Sequence, residues 1–231
     1  MYVNNEIGGI NPIDEIGTIL AKKNILFHSD AVQYLGKKKL NLSNLPIDMI
    51  SIAAHKFYGP KGIGILYIKN GIKVNPLIAG GGQENGMRAG TENVPAIVGM
   101  DLALQIAYNN LNEYQQKIND LEKYFIKCLD ENHIKFRVNG KNRINGILNI
   151  TFFGVEGHAL LINLDMLNIA ISYGSACSSG SISAPKPLIE MGMDEIEAKN
   201  TVRISMGKMI NKKDVDFLVH SIISIINRIK K

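Results

Sequence analysis

His55 and Lys56 leave an apolar run in IDMISIAAHKFYGPKGIG (residues 47–64) and pass straight into a Gly/Pro turn. A lysine that only solvates a surface needs no apolar strand behind it. One that forms a Schiff base must be held rigidly and partly desolvated, so that its amine is neutral and nucleophilic. Asp30, in ILFHSDAVQ, stands just past the carboxyl end of the apolar run Ile25–Phe27, the place where open parallel sheets bind ligands. A carboxylate there can pair with a protonated aromatic ring nitrogen, and it can equally cap a helix beginning at AVQ. Gln33 fits a capping box as readily as a bond to a ring hydroxyl. Lys56 follows Asp30 by 56 − 30 = 26 residues, the span of one further helix and strand of a βαβ unit, which brings both to the same sheet edge.

Beside Lys56, His55 becomes a candidate donor to a phosphate or hydroxyl. GPKGIG lacks the G-x-x-x-x-G-K-[ST] spacing of a nucleotide loop and reads as a turn. The loop AGGGQENGMRAGTEN (79–93) is rich enough in glycine for its amides to approach an anion, helped by Arg88 and Thr91, although a plain connection would look the same. Cys177, in YGSACSSGSIS ahead of Ala-Pro-Lys-Pro, has no apolar frame to bury it, and that Pro-containing tail resists both helix and central strand. An accessible thiol on a loop can reach a substrate and carry something away. Cys128, in FIKCLDEN, reads instead as a small buried hydrophobe on a helix. Arg203, in TVRISMG, needs a partner, for which a substrate carboxylate and a structural acid serve equally.

The elements that must position these groups alternate. Strands are predicted at 25–28, 49–53 and 63–68, giving an α/β unit with a largely parallel sheet. Spacing from Pro95 to Asn132 predicts one long helix or two in series, beginning near Val94. Strands at 146–153 and 202–206, with helices near 157–166 and 212–230, form a smaller α+β unit. The boundary falls near Tyr108, giving residues 1–107 and 108–231. The opening MYVNNEIGG reads as a strand end, so the chain is expected to start inside a folded element, and a three-stranded sheet would be poorly covered.

Composition bounds the function. In 231 residues, 45% apolar, the formal charge of +5 is scattered and there is no Trp, which argues against nucleic-acid binding. No apolar stretch approaches a membrane span and no signal-like segment opens the chain, which points to a cytoplasmic protein. Two cysteines without a C-x-x-C pair argue against both a disulfide framework and a cysteine-rich metal site.

VNNEIG, HSDAVQ, AAHKFYGPKGIG, GGGQENGMRAGTEN, SYGSACSSGS and VRISMG, in that order and across essentially the whole chain, resemble the cysteine desulfurases of the NifS/IscS group, within the class V aminotransferase superfamily. The resemblance implies a PLP-dependent transferase of fold type I, with a partial large domain and a smaller C-terminal α+β domain. It also implies a homodimer that converts L-cysteine to L-alanine and a protein-bound persulfide. Under it, Lys56 would hold pyridoxal 5'-phosphate (PLP) covalently and move the substrate's Cα proton. Asp30 would pair with the ring nitrogen; Asn5 and Gln33 would serve the ring hydroxyl region; His55 would reach the phosphate, and Thr91 the phosphate of the partner subunit's cofactor. Arg203, with Asn5, would bind the substrate carboxylate, and Cys177 would take the sulfur. No metal is implied. An iron-sulfur scaffold or another sulfur acceptor would dock near the Cys177 loop.

Two departures matter. Ala53 stands where the family usually has serine, removing one hydroxyl from the phosphate cup, and nothing here corresponds to the family's long N-terminal part. Weak PLP binding and little turnover are therefore expected of this chain. Two alternatives stay open: another class V aminotransferase or lyase acting on a small amino acid, and a truncated, non-catalytic partner for dimerisation or sulfur transfer.

Overall fold

A computed structural model describes residues 1–174 and 184–229. They fall into two compact units, Met1–Val3 with Asn11–Leu111 and Asn4–Ile10 with Asn112–Lys231.

The first unit opens on helix α1 (Ile13–Ala21), whose Ile13, Ile16, Gly17 and Leu20 share one face, and whose Asp14 and Glu15 suit the positive end of the helix dipole. This helix has no counterpart among the predicted elements. A Cβ on the buried Gly17 would lie 2.1 Å from the backbone oxygen of Pro46. Gly17→Ala is accordingly expected to cost about 1–3 kcal/mol by overpacking, although alanine is the better helix former by about 1 kcal/mol. A lowered urea midpoint checks this, and an unchanged or raised midpoint would refute it.

Strands β1 (His28–Asp30), β2 (Met49–Ala53) and β3 (Gly64–Ile68) form a sheet in that order. β1 and β2 run parallel, whereas β2 and β3 are antiparallel. The expected largely parallel sheet is thus corrected to a mixed one. The connection between β2 and β3, residues 54–63, falls just short of the roughly dozen residues that a parallel crossover needs. The first strand is also displaced from 25–28 toward the carboxyl end. Asn24 leaves α1 with φ 54°, Ile25 and Leu26 are exposed, and the N–H of Phe27 donates to Asp48 Oδ2 at 2.8 Å instead of a strand partner. Helix α2 (Val94–Asn109) begins at Asn93, whose side chain accepts from the N–H of Ala96 at 3.3 Å, with Pro95 in the first turn where its missing N–H costs nothing.

Helix α3 (Leu111–Glu131) leads into the second unit, so the predicted stretch from Val94 is two helices in series. Strands β4 (Phe136–Asn139), β5 (Ile147–Phe152) and β6 (Thr201–Ser205) make an antiparallel sheet in that order, β4 being another element the sequence spacing did not signal. Its two faces differ by the period-2 rule. Leu148, Ile150, Phe152, Val202 and Ile204 join Phe125 and Leu129 of α3, Leu160 and Leu164 of α4 (Gly157–Asp165), and Ile222, Ile225 and Ile226 of α7 (Lys212–Ile229) in the core. Cys128, expected to be buried, is half-buried against that core. On the opposite face Asn139 Nδ2 donates to Asn149 Oδ1 and Thr151 Oγ1, both at 2.9 Å, and the hydroxyls of Thr151 and Thr201 lie 2.7 Å apart. These buried polar groups satisfy one another, which removes most of the penalty for burying them.

Two short helices, α5 (Lys186–Glu190) and α6 (Glu195–Lys199), precede β6. The Pro-containing segment therefore does enter a helix. Pro185 takes the capping position and Pro187 the first turn, where neither removes an intrahelical bond. Between α3 and β5, Glu122 is buried against Arg143, and its Oε2 accepts from the N–H of Gly146 at 2.8 Å. No helix among the described residues is long and apolar enough to cross a membrane.

Candidate active site

In the first unit the parallel pair sets the geometry. Asp30, the last residue of β1, stands opposite Ser51 of β2, and β2 continues through Ala53 into a 3-10 turn, Ala54–Phe57, that presents His55 and Lys56. Buried Ala54 and Phe57 anchor that turn while the two basic residues face outward, both exposed. Tyr58 closes it in the left-handed region at φ 68°, and the N–H of Gly59 returns to the carbonyl of Ala54 at 2.9 Å. Gly36 lies against the anchor: a Cβ there would come within 2.6 Å of Phe57 Cβ. Asp30 and Lys56 thus emerge from the same edge of neighbouring parallel strands. The partial desolvation expected of Lys56 is not found, because its apolar surroundings end one residue on either side of the His-Lys pair.

No helix follows Asp30. Its Oδ1 accepts from the N–H of Val32 at 2.8 Å, a local turn bond in place of the helix cap, and the backbone from Ala31 to Lys38 makes a succession of tight turns. Gln33 has no capping role either, since its Oε1 accepts from Lys37 Nζ at 2.6 Å. Next to this edge His28 Nε2 and Ser51 Oγ share a hydrogen bond of 2.7 Å. In the glycine-rich loop Gln83 Oε1 accepts from the N–H of Gly90 at 3.1 Å, and Arg88 Nη1 donates to the carbonyl of Ala89 at 2.7 Å. Thr91 is exposed, with no hydrogen bond to Asp30, Gln33, His55 or Lys56.

The second unit gathers the other group. In VNNEIGG, Asn4 Oδ1 accepts from the N–H groups of Glu6 and Ile7 at 2.8 and 3.0 Å, and Gly8 completes the turn at φ 71°. The turn delivers Asn5 and Glu6 to Arg203. Arg203 Nη1 donates to the Asn5 carbonyl at 3.0 Å and to Glu6 Oε1 at 3.3 Å; Nη2 donates to Ser172 Oγ at 3.0 Å. Arg203 Nε is buried and has no hydrogen-bond partner among the described residues. Burial raises the Glu6 carboxyl above its usual range, and the neighbouring Arg203 charge opposes that rise. Glu6 and Ser172 were not singled out from the sequence. Glu6 carried one signal, an acid inside an otherwise apolar and amide-rich strand end; Ser172 carried none, because its bridge to Arg203 is a long-range backbone pairing. Cys177 lies outside the described residues. No cluster of metal-ligating side chains occurs among those described.

Residues 1–218 match the family described as Aminotransferase class-V. The chain is 41% identical to the cysteine desulfurase IscS of Clostridium botulinum over 99% of its own length and 58% of the relative's. Among solved structures it is similar to a NifS-like protein at TM-score 0.89 and 35% identity, covering 98% of this chain and 60% of that one. A NifS-like protein from Rickettsia africae gives TM-score 0.87 and 33% identity over the same shares. The chain therefore spans about three fifths of the length of the relatives it matches.

Proposed function

This chain belongs to the class V aminotransferase family, and from that premise we propose that it is the PLP-binding and substrate-binding portion of a cysteine desulfurase. The reading rests on one observation above all: Asp30 and Lys56 leave the carboxyl ends of adjacent parallel strands. The donor set suits the cofactor, with a primary amine for its aldehyde, a carboxylate for its ring nitrogen, and His55 for its phosphate. Bound there, PLP supplies the electron sink that makes the substrate's Cα proton and Cβ–S bond labile.

The chain's own groups supply position. Lys56 would hold the cofactor through its amine and, as a free amine, would be the base that moves the Cα proton. Asp30, held by Val32, keeps its carboxylate ready for the ring nitrogen. Gln33 and Asn5 serve the ring hydroxyl region, and Thr91 serves the phosphate of a partner subunit's cofactor in a homodimer. Arg203 and Asn5 hold the substrate carboxylate, and the buried Nε, without an acceptor among the described residues, supports that role because an arriving carboxylate would supply one. The Cys177 thiolate attacks the sulfur of L-cysteine; the Cβ–S bond breaks, Cβ gains a proton, and the products are L-alanine and a Cys177 persulfide. That persulfide is handed to an iron-sulfur scaffold or thiolation acceptor in the cytoplasm.

Incubation of the PLP-loaded chain with L-cysteine tests this. Alanine and a persulfide on Cys177 are expected in equal amounts, and Cys177→Ala is expected to abolish both. Alanine formation that survives Cys177→Ala would instead indicate another class V reaction, and no cofactor binding at all would indicate a non-catalytic partner protein.

A further inference from the structure

Arg203 is already occupied in the free chain, and the identity of its occupant has a consequence for ligand affinity. Glu6 is 6% exposed, lies on the tight turn built by Asn4, and places Oε1 at 3.3 Å from Arg203 Nη1. Asn5 Nδ2 donates to the same Oε1 at 3.2 Å, so the carboxylate is held from two sides. Across the guanidinium, Ser172 Oγ accepts from Nη2, and Nε has no acceptor among the described residues. The fork is thus neutralised on one side by an internal acid, while its Nε has no acceptor among the described residues.

We propose that Glu6 is a positioning residue that stands in for the carboxylate of an amino-acid ligand at Arg203, orienting the guanidinium beforehand and lowering its affinity for that ligand. The inference rests on the reading of Arg203 as the carboxylate-binding residue. Two effects compete. The Glu6 contact fixes the fork and so reduces the ordering cost of binding. Its charge also cancels that of Arg203, so that an arriving carboxylate meets a like charge sharing one cation, and like-charge pairs at such distances disfavour the second anion. Because Glu6 is buried and its partner is only 24% exposed, solvent screens this repulsion weakly. The charge effect therefore outweighs the ordering effect when only the charge is removed. Isosteric Glu6→Gln keeps a hydrogen-bonding group at the same place, whereas Glu6→Asp keeps the charge and retracts it by one methylene.

The test uses L-alanine as the probe, followed through the Arg203 Nε–H resonance of the full chain and by calorimetry. Glu6→Gln is expected to bind L-alanine about tenfold more tightly than the parent, the equivalent of one pK unit of like-charge interaction. Glu6→Asp should fall between the two, and Glu6→Ala should speed rotation of the guanidinium relative to the parent and Glu6→Gln, with the Asn5 carbonyl and Ser172 Oγ still holding it. A folded Glu6→Gln that binds no more tightly than the parent, including no measurable binding by either, overturns the proposal; thermal melts establish folding. Arg203→Ala separates the two levels. If that variant binds L-alanine as the parent does, the role of Arg203 itself falls. If it loses binding while Glu6→Gln leaves affinity unchanged, only the role of Glu6 falls.

Discussion

Lys56→Ala is expected to eliminate every covalently retained cofactor from the chain: after incubation with PLP and reduction with borohydride, the parent carries one pyridoxyl group on the peptide containing Lys56 and the variant carries none. The effect is all-or-none because the exposed amine of Lys56 is the one presented, beside His55, where two parallel strands end. Nearby lysines offer no substitute on that edge: Lys61 lies further along the connection, next to β3, and Lys37 is bound to Gln33. Folding should be unaffected, since the turn is held by buried Ala54 and Phe57 and by the Gly59 to Ala54 bond rather than by the lysine. An adduct of equal yield on another lysine of the variant would remove Lys56 from the site, and an unlabelled parent at excess PLP would remove the cofactor from the proposal.

The second large effect is on stability. Glu122→Ala is expected to cost the second unit about 3–5 kcal/mol, because it strands a mostly buried Arg143 guanidinium and the N–H of Gly146 without an acceptor. Gly146 has little room to adjust, since its carbonyl accepts from the N–H of Met206 at 2.9 Å. Replacing both charges, as Glu122→Leu with Arg143→Met, should recover much of the loss, because matched apolar groups carry no desolvation penalty. Denaturant unfolding decides it: a single-variant loss below about 1 kcal/mol would mean that water reaches the pair and screens it.

What the sequence disclosed and what it withheld divide along physical lines. β2, β3, β5, β6 and helices α2, α3, α4 and α7 were legible because their apolar residues repeat at periods that survive into the packed structure, whereas the short α5 and α6 were not. α1 and β4 were not. Each is short, and each draws its stability from distant partners: α1 from the close fit of Gly17 against Pro46, β4 from pairing with β5. The direction of β3 was fixed by a turn length that the strand pattern alone did not weigh. At the site, Asp30, His55, Lys56 and Arg203 stood out because a charged or basic group beside an apolar run is costly and calls for a reason. Glu6 escaped notice because its reason, Arg203, lies 197 residues away.

That separation has a consequence during synthesis. Asn4–Ile10 leave the ribosome before Asn112 onward, yet the two segments belong to one unit. At about 5–20 residues per second, Glu6 waits on the order of 10–40 s for Arg203 to be made. Until then the turn built by Asn4 closes on its own local bonds, with its acid solvated and its far partner not yet in existence. The second unit can therefore be completed only after the whole of the first has been made, and β6 brings the guanidinium to a carboxylate that emerged 197 residues earlier.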